Sequence, residues 1–455
     1  MFTRQKRVPN VDFILVITLF LPIFAEQFSS VFLTLVSTLI SSNIDTNIIN
    51  VTSLVSSVIS LPSAIYSAVA SGGAILMSHA MGAGDTPRAR RLFTTSMHLG
   101  LVIASFISLA IILTSSPLLH AVYPAMSEEF FAAGEIYAVF AALCFPINFY
   151  QTNTIGIMRS CLNTKGAFLI SLSVSVVDLL MRALFMIVFD FKILGLCFAI
   201  IISKLFSLAV CSFIIKKIGL FKGCITDFKN FISRDAFRSI LSYGAVMCGE
   251  TFFLSCGGVI LNKILADMGD LQVTGANIAV SMESLLTVVP NSLALVAQLV
   301  AGRYKGAGEN RHALVLSMRI TLVAMALHFV AALISFPVAE QYARCYTNDD
   351  DVIAVTLAVY KLYIFTMPFV WAFGNSLSAG IRGYGNVRQP ALTIIICMWA
   401  FKIPATYYFC EVLGGGAVAK TAVNIAETGI YAISFLSYYF IELSRIKKRE
   451  LIKNN

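Results

Sequence analysis

Three observations predict an all-α polytopic membrane protein with twelve transmembrane helices in two pseudo-symmetric six-helix lobes. The 455-residue chain is 58% hydrophobic and only 13% charged, with a mean hydropathy of +0.83. That is roughly half the charge of an average soluble domain. Apolar runs long enough for a hydrocarbon core of about 30 Å, about 20 residues each, recur along the whole chain. Two polar turn sequences also repeat at nearly one spacing.

Taken in order, the predicted spans are 11–40, 51–78, 92–117, 130–158, 166–189, 194–215, 239–266, 273–301, 313–337, 353–381, 390–410 and 417–443. Their length, and the lack of two-residue alternation, favour helices over barrel strands. The first follows the basic segment MFTRQKRVPN. Its apolar run is too long for a signal peptide and no small-residue cleavage site is obvious, so it reads as a retained span. Spans 2 and 3 are separated by Gly82-Ala83-Gly84-Asp85, and spans 8 and 9 by Gly306-Ala307-Gly308-Glu309, an offset of 224. Glycine suits a tight helix exit, and the acid is placed to cap the next helix. Between spans 4 and 5 stands Arg159-Ser-Cys-Leu-Asn-Thr-Lys165; between spans 10 and 11, Arg382-Gly-Tyr-Gly-Asn-Val-Arg388 follows at an offset of 223.

Two signatures in nearly one register imply two homologous halves: a lobe over 1–218, a linker over 219–238 and a lobe over 239–455. Because six spans is an even number, both halves enter from the same side, and the repeat axis lies along the membrane normal. The net charge of +9 has a matching explanation, since 24 of the 33 Lys and Arg fall in segments on one side of the twelve spans. This positive-inside bias places both termini in the cytoplasm, at the cell membrane, and removes any need for nucleic acid. The ten cysteines lie mostly inside spans, without CxxC or His/Cys spacing. Neither disulfides nor a metal site is therefore expected.

A charge at mid-bilayer costs about 2.5–3.5 kcal/mol even on lenient scales, so intramembrane ionisable residues point to function. The 224-residue offset carries Glu26 in LPIFAEQF onto Glu250 in AVMCGETF, each about halfway along the first helix of its lobe. Such a pair is expected to face a shared cleft. Removal from water penalises an ionised carboxyl group, which makes proton uptake the expected chemistry. Asp178 and Arg182, four apart, share a helix face and can neutralise each other. Glu283 is a further cavity candidate, with Lys263 as its prospective partner. The other intramembrane bases, Lys204, Lys361, Lys402 and Lys420, are expected to snorkel or pair, and Glu427 stands seven residues after Lys420.

The two GAG-acid turns, the Arg-x-x-Gly-Asn-x-Arg turn after span 10 and Lys402-Ile403-Pro404 in span 11 resemble the multidrug and toxic compound extrusion (MATE) family over essentially the whole chain. The resemblance implies a monomeric antiporter without cofactor. It would expel small organic, usually cationic, compounds by alternating access of two lobes, driven by Na⁺ or H⁺. Three positions depart from the family pattern. Ser37 stands where many members carry an aspartate, Asp178 and Arg182 replace a pair of Asn and Asp, and Trp371 stands where one branch has an acid. With these oxygens missing, H⁺ is the expected coupling ion over Na⁺, through Glu26, Glu250 or Asp178. The electrical cost of exporting one monovalent cation against 100 mV, about 2.3 kcal/mol, is returned by one entering proton.

A second transport reading is a flippase of the related lipid-linked oligosaccharide exporters, kept open by Arg182 and Lys263. An enzyme should show a nucleophile with a base at usable spacing, and none is visible. A scaffold would not need acids at mid-membrane.

Overall fold

A computed structural model describes residues 13–44, 46–122, 128–217 and 233–454, which are helical apart from short turns and contain no strand. The helices are α1 Phe13–Ile44, α2 Thr46–Gly82, α3 Thr86–Val122, α4 Glu128–Leu143, α5 Phe145–Ser160, α6 Thr164–Val188 and α7 Lys192–Lys217. After them come α8 Arg234–Ala266, α9 Asp270–Gly306, α10 Asn310–Arg344, α11 Asp350–Gly383, α12 Arg388–Val412 and α13 Gly416–Asn454. Of the expected linker, 219–232 lies outside the described residues, and 234–238 is already the first turn of α8.

Ten of these helices are long and apolar enough to cross a membrane. The number rises to eleven when α4 and α5, which meet at a 44° bend, count as one span. Pro146 causes that bend. It sits in the first turn of α5 beside the break at Cys144, where its ring and missing N–H prevent one continuous helix. The twelfth expected span falls on α13, whose N-terminal half carries Lys420 and Glu427. Turns of π-helix occur at Ala183–Val188, Ala372–Leu377, Cys397–Lys402 and Tyr408–Val412.

The chain divides into two compact units. One comprises Ala25–Met81 and Asp85–Cys248; the other comprises Gly249–Asn455, Gly82–Gly84 and the start of α1 as far as Phe24. The first is packed around Phe93, Met97, Phe149 and Ile170, all essentially inaccessible. The second has a core built on Met282, Val359, Tyr360 and Ile364.

The four signature turns repeat in backbone conformation as well as in sequence. Gly84 and Gly308 have φ of +71° and +84°. At each, the following residue donates back into the helix it leaves, Asp85 N–H to Ala80 O at 3.0 Å and Glu309 N–H to Tyr304 O at 2.9 Å. These are helix-terminating turns that need a left-handed residue. In the second signature Leu162 (φ +60°) and Gly385 (φ +108°) hold the equivalent place. The asparagine after each caps the next helix, Asn163 accepting from Gly166 N–H at 3.0 Å and Asn386 from Gln389 N–H at 3.1 Å. The first acid also caps as its position predicts, with Asp85 Oδ1 accepting from Arg88 N–H at 2.9 Å. Glu309 does not: it makes no side-chain cap and its carboxylate lies 3.6 Å from His312 Nδ1. Its extra methylene carries the oxygens past the helix end.

Candidate functional site

Each repeat holds one glutamate–arginine pair built in the same way. Glu26, midway along α1, is 6% exposed. Its Oε1 accepts from a terminal amine of Arg159 at 2.7 Å and from Ser171 Oγ of α6 at 2.6 Å. Glu250, midway along α8, is equally buried, and its Oε1 accepts from a terminal amine of Arg382 at 2.7 Å. Both arginines stand in the last turn of a helix, where the negative end of the helix dipole favours a cation. Both leave Nε buried without a hydrogen bond among the described residues, as is Glu26 Oε2. Gly383, next to Arg382, lets this end of α11 lie against the Gln298 backbone of α9, since a Cβ there would collide with its carbonyl.

Beyond the sequence reading of Glu26 and Glu250 as a pair facing a shared cleft, each has an ion-pair partner inside its own unit, the arginine that opens its signature turn. The signal was present in the sequence: the acid and the arginine both repeat, at 224 and 223 residues. A buried pair like this is close to neutral in net stability, whereas removing one member strands a charge and costs about 3–5 kcal/mol.

Glu26 also lines a cavity of about 650 Å³ in the first unit. Asp178 and Arg182 line it too, joined as their spacing predicts, Arg182 Nε donating to Asp178 Oδ2 at 2.7 Å. The second carboxylate oxygen accepts from Ser203 Oγ of α7 at 3.2 Å. Beside them on α7, Lys204 donates to the Gln151 amide oxygen at 3.4 Å, its one hydrogen bond among the described residues. Seven serines, with Asn148, Gln151, Tyr66 and Tyr137, complete a wall dominated by hydrogen-bonding groups.

In the second unit Glu283 of α9 is half-buried and close enough to Tyr360, Tyr363 and Tyr431 to act on them electrostatically. Its prospective partner Lys263 is exposed, and none of the ion pairs among the described residues contains either residue. Lys420, seven residues before Glu427, is not its ion-pair partner. Glu427 meets Lys402 of α12 at 2.8 Å, with Asn424 Oδ1 accepting from the same ammonium at 2.6 Å. Lys420 turns to Asn262 Oδ1 at 3.3 Å. Seven residues of helix separate two side chains by about 10 Å of rise, so a neighbouring helix supplies the nearer base. Trp371 donates its indole N–H to Asn291 Oδ1 at 3.4 Å, and Asn375 donates to the same oxygen at 2.6 Å. The side chain of Ser37 lies outside the described residues. No group of three metal-ligating side chains occurs among the described residues, and their nine cysteines are free thiols.

Long apolar helices, an internal repeat and ionisable pairs held inside it define a polytopic α-helical membrane protein. The MatE family model matches residues 22–184 and, a second time, 247–408; the chain belongs to that family. Among curated relatives, a probable multidrug resistance protein NorM of Thermotoga maritima is 24% identical over 220 residues, 48% of this chain and 47% of that one. The Bacillus subtilis protein of the same name is 22% identical over 214 residues, covering 47% and 46%. The chain thus spans about half the length of the curated relatives it matches. Among solved structures, a Vibrio cholerae MATE transporter gives a TM-score of 0.84 at 17% identity, covering 95% of this chain and 97% of that one. The outward-facing form of a multidrug resistance MATE family transporter gives 0.83 at 16%, covering 95% and 96%. At these identities the likeness is one of fold.

Proposed function

We propose that this protein is a transporter, a secondary active antiporter of the cell membrane that exports organic compounds in exchange for H⁺, with both termini in the cytoplasm. The duplicated Glu–Arg pair carries this reading. Each pair joins the first helix of a repeat to the end of a later one, so proton transfer to the glutamate cancels the attraction and frees two elements together. A device present once in each half suits a cycle in which both halves change state. Glu26 and Glu250 act as coupling acids, and Asp178, held by Arg182 and Ser203, supports the first of them. Glu283 is in no ion pair among the described residues, so it can take or release a proton without breaking one there, which makes it a second carrier. The multidrug-resistance names of the relatives agree with this reading.

A flippase for lipid-linked anions is the second reading, favoured by the two bases, Arg182 and Lys204, in the cavity of the first unit. Reconstitution into vesicles with independently imposed Na⁺ and pH gradients tests the proposal. The panel is rhodamine 123, ethidium and fluorescein. The expected result is dye movement driven by the pH gradient and strongly reduced in a Glu26→Gln, Glu250→Gln double variant. Parent-rate movement in that variant sinks the assignment of the coupling acids. Movement with the Na⁺ gradient alone overturns proton coupling.

A further inference from the structure

The relatives' names leave open what charge the cavity of the first unit accepts. Its ionisable groups are few enough to count. Glu26 and Asp178 bring two carboxylates and Arg182 and Lys204 two bases, while Arg159, outside the lining, pairs with Glu26. Glu26 is taken by Arg159 and Ser171, and Asp178 by Arg182 and Ser203. A cation entering here finds both carboxylates already neutralised. An anion finds the Lys204 ammonium, whose hydrogen bond goes to a neutral amide and which makes no ion pair among the described residues, although the Asp178 charge also acts on it. It also finds an Arg182 whose bond to Asp178 among the described residues runs through Nε, with its terminal amines outside that bond. The serine, asparagine and glutamine wall offers hydrogen bonds to a polyhydroxylated or carboxylated solute.

We propose that this cavity binds organic anions rich in hydrogen-bonding groups, with Lys204 as the primary anion contact and Arg182 as the second. The assignment rests on the transport reading for its role in export, but the binding itself does not depend on that reading.

Two xanthene dyes of similar shape and opposite charge test it: fluorescein, an anion, and rhodamine 123, a cation. Fluorescence polarisation with the purified full-length protein should show fluorescein bound at least about tenfold more tightly, the scale of one charge-assisted hydrogen bond in a desolvated site. Lys204→Gln should weaken fluorescein by about tenfold or more and leave rhodamine 123 no weaker, while Lys204→Arg retains fluorescein binding. Tighter binding of rhodamine 123 by the parent overturns the proposal, and this comparison needs no variant to fold. Equal fluorescein affinity in the parent and a monodisperse Lys204→Gln variant overturns the assignment of Lys204. Displacement of fluorescein by dodecyl phosphate alone would put the anion on a lipid, and displacement by glucuronate alone on a water-soluble solute; both support the chemistry. Fluorescein that binds but moves under no gradient defeats the transport reading and leaves this site standing. Rhodamine 123 that is both preferred and moved does the reverse.

Discussion

At the scale of single residues, Glu26 is held by two donors on one oxygen while the other oxygen is buried without a partner among the described residues. Truncation to alanine removes the acceptor and leaves the Arg159 cation desolvated. Glu26→Ala should therefore cost about 3–5 kcal/mol of stability, and Glu26→Gln less, because its amide oxygen still offers Arg159 and Ser171 an acceptor although the charge is gone. Thermal unfolding of the purified protein in one detergent measures both; equal losses would show that the charge, and not the acceptor, is what Arg159 requires. This pair was half legible in the sequence. Local spacing reveals Asp178–Arg182, because four residues is one helical turn. Nothing local reveals Glu26–Arg159, since its members stand on different helices and the arginine reads as part of a turn. The same limit explains Glu427, whose base is the distant Lys402 rather than Lys420 on its own helix.

At the scale of elements, the repeated turns differ in ways that separate conformation from capping. Asp85 caps α3 through its carboxylate, whereas Glu309 at the equivalent place does not cap α10. Asp85→Ala should cost about 1 kcal/mol and Glu309→Ala less than about 0.5 in the same unfolding assay. In the other signature, Gly385 has φ of +108° where the first repeat places Leu162 at +60°. The angle at Gly385 lies beyond the small left-handed basin open to L-residues. Gly385→Ala should then cost about 1–2 kcal/mol, while Leu162→Gly, which relieves a side chain from that basin, should cost less. A larger loss for Leu162→Gly would mean that the packing of its side chain outweighs its backbone conformation. Ten or eleven of the twelve expected spans were readable because hydrophobic length is set by the bilayer, but helix ends were not. The third helix begins at Thr86 instead of near 92, and the last continues to Asn454 instead of 443. A helix satisfies its own backbone in water as well as in lipid, so it runs on past the apolar stretch that hydropathy detects.

At the scale of the whole molecule, the two Glu–Arg pairs share no residue and belong to separate compact units. Their contributions to stability should accordingly be independent, and the losses from Glu26→Gln and Glu250→Gln should add to within about 0.5 kcal/mol in the double variant. Transport is a different measurement, because a cycle stops at whichever step fails first. If both pairs must open and close once per turnover, each single substitution should slow efflux of the transported dye at least about tenfold, and the double should be no slower than the worse single. Multiplying rate losses, with additive stability losses, would mean that the two repeats act as parallel and separable devices. Additive stability with non-additive transport would mean that two locally independent ion pairs serve one alternating cycle. Measuring initial efflux rates and unfolding temperatures on the same four preparations, parent, two singles and double, decides between them.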